Sequence, residues 1–253
     1  MVCECAQGRA GKRHAILTVA GVNVLIVYAH HEPTSFNAAM VSHATSVLTV
    51  AGHSVRLSDL YAIEFNPVSD RRNFTTVANA ERLDQQAEER HAALNGGFAD
   101  DIVEEMSKVA WCDLIIFQFP LWWMGMPAIM KGWIDRVFAL KFAYGDGRWF
   151  ERGWLVGKQA MLALTVGGTE QTYSGEGMYG SIDAIVEPIH HGILSFVGFS
   201  VNDPFVVYGP GRMDDVARAD ELHRFEIRLL EVAGSPDTMP MRSRVGQRAE
   251  RNH

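Results

Sequence analysis

Leu114-Ile115-Ile116-Phe117-Gln118-Phe119-Pro120-Leu121-Trp122-Trp123-Met124-Gly125-Met126-Pro127 lies near the middle of the 253-residue chain and decides how the rest is read. Its first half is a short, β-rich apolar run, the mark of a strand buried on both faces. Pro120 stops the strand, and Pro127 sets up a helix over 128–139. An ordinary connection between the two would be polar, yet this one carries two indoles and a methionine. Large aromatics at the carboxyl end of a central strand are what an open parallel sheet offers a flat ligand. Of two consecutive indoles one usually points inward, so one of Trp122 and Trp123 is expected to be core.

Working outward, strands are predicted over 24–28, 54–58, 113–119, 159–166 and 199–207. Helices are predicted over 36–50, 128–139, 182–197 and 214–232. Strand and helix alternate throughout, which means a parallel sheet with helices on both faces. Five strands in this order suit a flavodoxin-like, doubly wound α/β sheet of order 2-1-3-4-5. Its ligand crevice lies at the switch point between strands one and three. Residues 62–97 form a long insertion, with a surface helix expected over 78–94; stretches of this length are usually functional. The chain divides into a flexible extension (1–21), the α/β domain (22–233) and an arginine-rich, disordered tail (234–253).

Composition sets the outer bounds. Hydrophobic content of 47% and charged content of 21% are ordinary globular values. No run reaches the ~18 apolar residues that span a membrane. Arg9, Lys12 and Arg13 precede an apolar stretch as in a signal peptide, but the first core strand follows at once, so no cleaved leader is read. Cys3, Cys5 and Cys112 are too few for a disulfide framework, which points to the cytoplasm. Cys3 and Cys5 lack a second ligand pair for a metal. The net charge is −7. Both ends are basic, and the residues between them, 22–233, carry −11. That balance argues against nucleic acid as partner.

Three constellations converge on the expected crevice. The first is Ala29-His30-His31-Glu32-Pro33-Thr34-Ser35-Phe36-Asn37, between strand one and helix one. A helix N-terminus offers free N–H groups to a phosphate, and His30, Thr34, Ser35 and Asn37 add donors. Ser35 also suits a plain N-cap. His30 and His31 are too close in sequence to converge on a metal. The second is the 120–124 loop, whose N–H groups can meet the edge of a flat ring while an indole stacks on its face. The third is Thr165-Val166-Gly167-Gly168-Thr169-Glu170-Gln171-Thr172-Tyr173-Ser174. Paired glycines there admit close backbone approach, and Tyr173 can donate to an oxygen that gains charge. Gly175-Glu176-Gly177-Met178-Tyr179-Gly180 imitates a dinucleotide fingerprint but does not follow its strand directly, so a Rossmann reading is rejected. There is no nucleophile elbow, Walker loop or H-E-x-x-H. Anion, stacking and close-backbone sites without an evident acid, base or metal suit a protein whose cofactor does the chemistry.

These blocks resemble the NAD(P)H:quinone oxidoreductase family, which is FAD-containing, flavodoxin-like and homodimeric. The likeness rests on residues 29–37, 58–62, 65–67, 116–123, 127–133, 136–138, 142–144, 167–168, 173–174, 188–189 and 192–194. It implies that FAD contacts His30, Ser35, Phe36 and Asn37 through its phosphates and ribityl chain. It places the isoalloxazine against Pro120, Leu121, Trp122, Trp123 and Met124 and against Thr165, Val166, Gly167 and Gly168. Tyr173 would lie near the ring's carbonyl edge and Arg218 near the adenine-side phosphate; Gln85 or Gln86 would match a further contact. Ala143, Tyr144 and Gly145 would close the pocket from a second subunit. NAD(P)H and quinone would take turns over Trp123, Met124 and Tyr179. Tyr179 stands where well-known members have a histidine that partners the tyrosine matched by Tyr173. Trp122 and Met124 replace a glutamine and a phenylalanine, and Asp146 a second pocket tyrosine. The resemblance thus implies two-electron, ping-pong quinone reduction with FAD rather than FMN. Alternatives are a nitro- or azo-aromatic reductase, a potassium-efflux ancillary reductase, or a flavodoxin-type FMN electron carrier.

Overall fold

The computed structural model describes residues 21–234. Cys3, Cys5, the basic leader and the arginine tail, with Arg242, Arg244, Arg248 and Arg251, lie outside them. The strands are β1 (Asn23–Tyr28), β2 (Ser54–Asp59), β3 (Leu114–Pro120), β4 (Gln159–Val166), β5 (Ser200–Val201) and β6 (Phe205–Tyr208). The helices are α1 (Phe36–Val50), α2 (Gln85–Asn95), α3 (Asp100–Trp111), α4 (Ala128–Val137), α5 (Ile182–Ile189) and α6 (Asp215–Gly234). The sheet is parallel, ordered β2-β1-β3-β4-β5, with β6 also pairing β4. The order 2-1-3-4-5 is the one read from the sequence.

Side-chain alternation along the central strands assigns the helices to faces. Leu25, Val27, Ile115, Phe117, Leu162 and Leu164 point to one side, against α3, α4 and α5. Val24, Ile26, Leu114, Ile116, Met161 and Ala163 point to the other, against α1 and α6. All seven residues of β3 and all eight of β4 are buried, as strands covered on both faces must be.

Four readings change in detail. The fifth strand is split: Pro204 cannot donate to a ladder, and residues 202–204 part β5 from β6. The helix expected over 78–94 begins only at Gln85, where the Asp84 side chain caps the Ala87 N–H at 3.0 Å. Upstream, the N–H groups of Ala78 and Asn79 donate to the buried Glu88 carboxylate instead of to a helix. The helix over 182–197 forms, but residues 190–195 adopt π geometry two residues after Pro188, which removes a backbone donor. Finally, α3 was not read at all, although Ile102, Met106 and Val109 form its buried stripe.

The insertion is fastened by buried charge. Arg136, on α4, is 2% exposed. It donates to Asp101 (2.6 Å), to Asn73 Oδ1 (2.8 Å) and to the Asn66 carbonyl (2.8 Å). Glu105 accepts from Ser58, Lys108 and the Trp133 indole, tying β2, α3 and α4 together. Glu89 accepts from the Leu140 N–H (2.6 Å) and from Gln85 (2.7 Å). Burial pushes the Glu89 carboxyl above its ordinary value despite those donors.

Two outcomes follow from these buried groups. Arg136→Ala leaves the buried Asn73 Oδ1 without its donor and removes the packing of the guanidinium on the Phe65 ring, so denaturant titration should show a loss of about 2 kcal/mol; unchanged stability contradicts this role. Because the folded Glu89 favours its proton, ionising it opposes folding above the ordinary glutamate range. Glu89→Gln should therefore raise the melting temperature near pH 7, with the gain fading as pH falls through that range. A gain that instead grows on acidification contradicts the sign.

Candidate active site

At the carboxyl ends of β1, β3, β4 and β6 the connecting loops enclose a cleft of about 930 Å³. A cleft of this size lies at the upper end of what small-molecule and cofactor sites occupy.

The wall after β1 is the N-terminus of α1. The Ser35 side chain accepts from the Ala38 N–H at 3.2 Å, and the Ser35 carbonyl from the Ala39 N–H. Ser35 is therefore the cap and also lines the cleft. The first turn carries no acidic residue, so its positive end is not cancelled from within. His30 Nδ1 accepts from the Glu32 N–H at 3.0 Å, which leaves the ring proton on Nε2. Burial, helped by His31, lowers the pKa of His30 and keeps the ring neutral. Glu32 in turn accepts from both the N–H and the hydroxyl of Thr34, which fixes the loop. Asn37 lines the cleft, but its side chain is already spoken for. It accepts from Gln118 Nε2 and donates to Thr165 Oγ1, both at 2.9 Å.

Between β3 and α4 the chain makes a two-residue turn. Trp122 and Gly125 exchange backbone hydrogen bonds at 3.1 and 3.0 Å. Trp123 and Met124, the central residues, both have positive φ (51° and 56°). Such turns favour Asn-Gly, and side-chain-bearing residues there cost roughly 1–2 kcal/mol each. The strain holds the Trp123 indole out, fully exposed, at the cleft mouth. Trp122 is half-buried against the rings of His30 and His31. The expectation that one indole is core is thus corrected: both sit on the rim, because the left-handed turn carries the pair away from the sheet.

After β4, Thr165, Val166 and Gly167 line the cleft. Gly168 stands behind Tyr173 rather than on the wall. A Cβ there would come within 2.8 Å of the Tyr173 ring. Tyr173 is buried and Tyr179 is half-exposed, with ring centroids 5.2 Å apart. Burial, then the neighbouring Tyr179, raises the Tyr173 pKa, so its phenol stays a donor at neutral pH. Gly177, from the false fingerprint, serves packing; a Cβ would lie 2.3 Å from the Gln171 carbonyl oxygen.

The last wall was missed in the sequence apart from Arg218. Gly209, Pro210, Gly211 and Arg212 line the cleft beside it. Their signal was available, since they follow the last strand at the sheet's carboxyl end. Ala143, Tyr144 and Gly145 are not on this cleft. Tyr144 faces a separate hollow shared with Gln85, Glu89 and Phe196. Asp146 pairs with Lys141 and Arg90. Gln86 lines another shallow hollow near Arg90.

Residues 22–229 match the profile of a family described as having a flavodoxin-like fold. NAD(P)H dehydrogenase [quinone] 1 of Cavia porcellus is 41% identical over 206 residues, 81% of this chain and 75% of that protein. Ribosyldihydronicotinamide dehydrogenase [quinone] of Homo sapiens is 41% identical, across 76% of this chain and 84% of its own. A candidate quinone reductase of Klebsiella pneumoniae superposes with a TM-score of 0.81 at 41% identity, covering 84% of this chain and 85% of the other. The chain belongs to the flavodoxin-like family that includes these quinone dehydrogenases.

Proposed function

We propose that the cleft binds FAD and that the protein is an NAD(P)H:quinone oxidoreductase, cytoplasmic and homodimeric, working by ping-pong two-electron transfer. The observation that carries this reading is the convergence on one cleft of an uncancelled helix N-terminus, an exposed indole on a strained turn and a buried tyrosine donor.

The residues present fit a flavin. The N–H groups opening α1 and the Nε2–H of His30 would hold phosphate oxygens. Thr165, Val166 and Gly167 line the cleft at the end of β4, where a planar ring would lie. A bound flavin would supply hydride-transfer chemistry between a dihydronicotinamide and a quinone, with a proton from solvent completing the hydroquinone. Tyr173 keeps its proton and would donate a hydrogen bond to a ring oxygen that gains charge, with the phenol of Tyr179 beside it. Tyr179 cannot supply the positive charge that a histidine there could. Trp123 and Met124 frame the open face, where donor and acceptor would alternate. The segment Ala143, Tyr144 and Gly145, which lies off this cleft, would close it from a second copy. The names of the relatives differ in donor, one NAD(P)H and one ribosyldihydronicotinamide, so both classes belong in the assay.

Purified protein should be yellow and release FAD on denaturation. Steady-state rates should give parallel double-reciprocal lines with a dihydronicotinamide and a quinone. Colourless protein that takes up neither FAD nor FMN defeats the reading, and FMN with negligible quinone turnover favours an electron carrier. Tyr173→Phe should lower kcat for quinone reduction by about tenfold or more and leave FAD content unchanged. Tyr179→Phe should cost less. Equal rates for Tyr173→Phe and the parent remove Tyr173 from the mechanism.

A further inference from the structure

Glu89 is a buried acid that no cation offsets. It is 3% exposed. Among the described residues, no lysine, arginine or histidine lies within ion-pair distance of it. Its neighbours on α2 are engaged elsewhere: Glu88 accepts from the Ala78 and Asn79 N–H groups, and Arg90 pairs with Asp146. Glu89 Oε2 accepts from the Leu140 N–H at 2.6 Å and from the Tyr144 hydroxyl at 3.5 Å. Its Oε1 accepts from the Gln85 amide at 2.7 Å. Two oxygens in one plane let a single side chain hold all three donors.

Leu140 and Tyr144 are the two ends of a tight reversal. The Lys141 N–H donates to the Tyr144 carbonyl at 2.8 Å, and Lys141, at φ 74°, turns the chain. Just beyond, Asp146 pairs with Lys141 and Arg90. The backbone of the reversal is therefore held at one end by Glu89 and at the other by Asp146. The Tyr144 side chain is held less firmly. Its ring meets Phe196 in a tilted pair, 6.0 Å between centroids, and it lines a hollow of about 420 Å³ with Gln85 and Phe196. Its 3.5 Å bond is the longest of the three to Glu89, so the phenol is steered rather than locked. Burial, then the nearby Glu89 carboxylate, raises the Tyr144 pKa, so the phenol keeps its proton and stays a donor.

We propose that Glu89 is a positioning residue for quinone reduction, setting the direction in which the Tyr144 phenol is offered to a quinone oxygen in the cleft of a second copy. The inference rests on the reading above, in which the segment Ala143, Tyr144 and Gly145 closes that cleft. Glu89 touches no substrate and acts through Tyr144. The Leu140 N–H fixes where the acid sits, and the Gln85 amide fixes which way its plane faces. The direction that remains is the one Tyr144 uses.

The test is steady-state quinone reduction by the flavin-loaded protein, with its mass in solution and flavin content measured alongside. Glu89→Ala should raise the quinone KM about threefold to tenfold, the worth of one neutral hydrogen bond, and leave kcat, flavin content and dimer mass near the parent's. Tyr144→Phe should raise the same KM by a similar factor, and the double variant should add little to either single change. Glu89→Gln keeps an oxygen for Leu140 and Tyr144 and should restore most of the parent's KM. If Glu89→Ala does not fold, Glu89→Asp, which draws the oxygens back by one methylene, should raise KM in the same way. The inference is overturned if the folded Ala or Asp variant keeps the parent's KM, if the Glu89 and Tyr144 effects multiply independently, or if Gln does no better than Ala. A monomeric parent, or a Tyr144→Phe variant with the parent's KM, overturns the closure by a second copy and this inference with it, so the two failures can be told apart.

Discussion

A buried amide clamp sets the geometry on which the site depends. Asn37, 4% exposed, bridges Gln118 on β3 and Thr165 on β4. Each bond lies away from water, so breaking one would leave a buried polar group unsatisfied, at about 1–3 kcal/mol. The clamp pins the first turn of α1 to the exits of two neighbouring strands. It therefore fixes the positive helix end relative to the Trp122–Gly125 turn and to Gly167. It adds the helix end to strand exits that backbone bonds from Ala29 to Gln118 and from Leu121 to Thr165 already join. The side chain that the resemblance offers to a cofactor is, in the fold, what holds the other contacts in register.

Rigid below, the site is strained and open above. Two left-handed residues at Trp123 and Met124 hold an indole in solvent. Such a conformation persists only where the surroundings over-determine it. The turn's reciprocal backbone bonds and the tilted packing of Trp122 against the stacked pair His30 and His31 do so here. The insertion is fastened separately, by Arg136 to Asn73 and Asn66 and by Glu89 to the Leu140 N–H. Glu89 also lies next to Tyr144.

The parts of this arrangement that were legible in the sequence were those set by local physics. The runs at 114–119 and 159–166 could only be doubly covered strands, and Ser35 announced the helix start. Crevice residues at the ends of β1, β3 and β4 were found because the sheet order places those ends together. Arg212 was not found, since only the turn at Gly209 carries it to Gly167, a contact spanning 45 residues. The late start of α2 was hidden for a similar reason, because Glu88 draws two upstream N–H groups away from a helix. The placement of both indoles on the rim required a left-handed turn that Trp-Met does not advertise.

The central claim is that one cleft serves donor and acceptor in turn through a bound flavin. Single-turnover mixing without oxygen tests it most directly. A dihydronicotinamide alone should bleach the flavin absorbance of the purified protein, and a quinone added afterwards should restore it fully in one two-electron step. Bleaching that requires the quinone to be present, or recovery in two separate one-electron steps, would contradict the account.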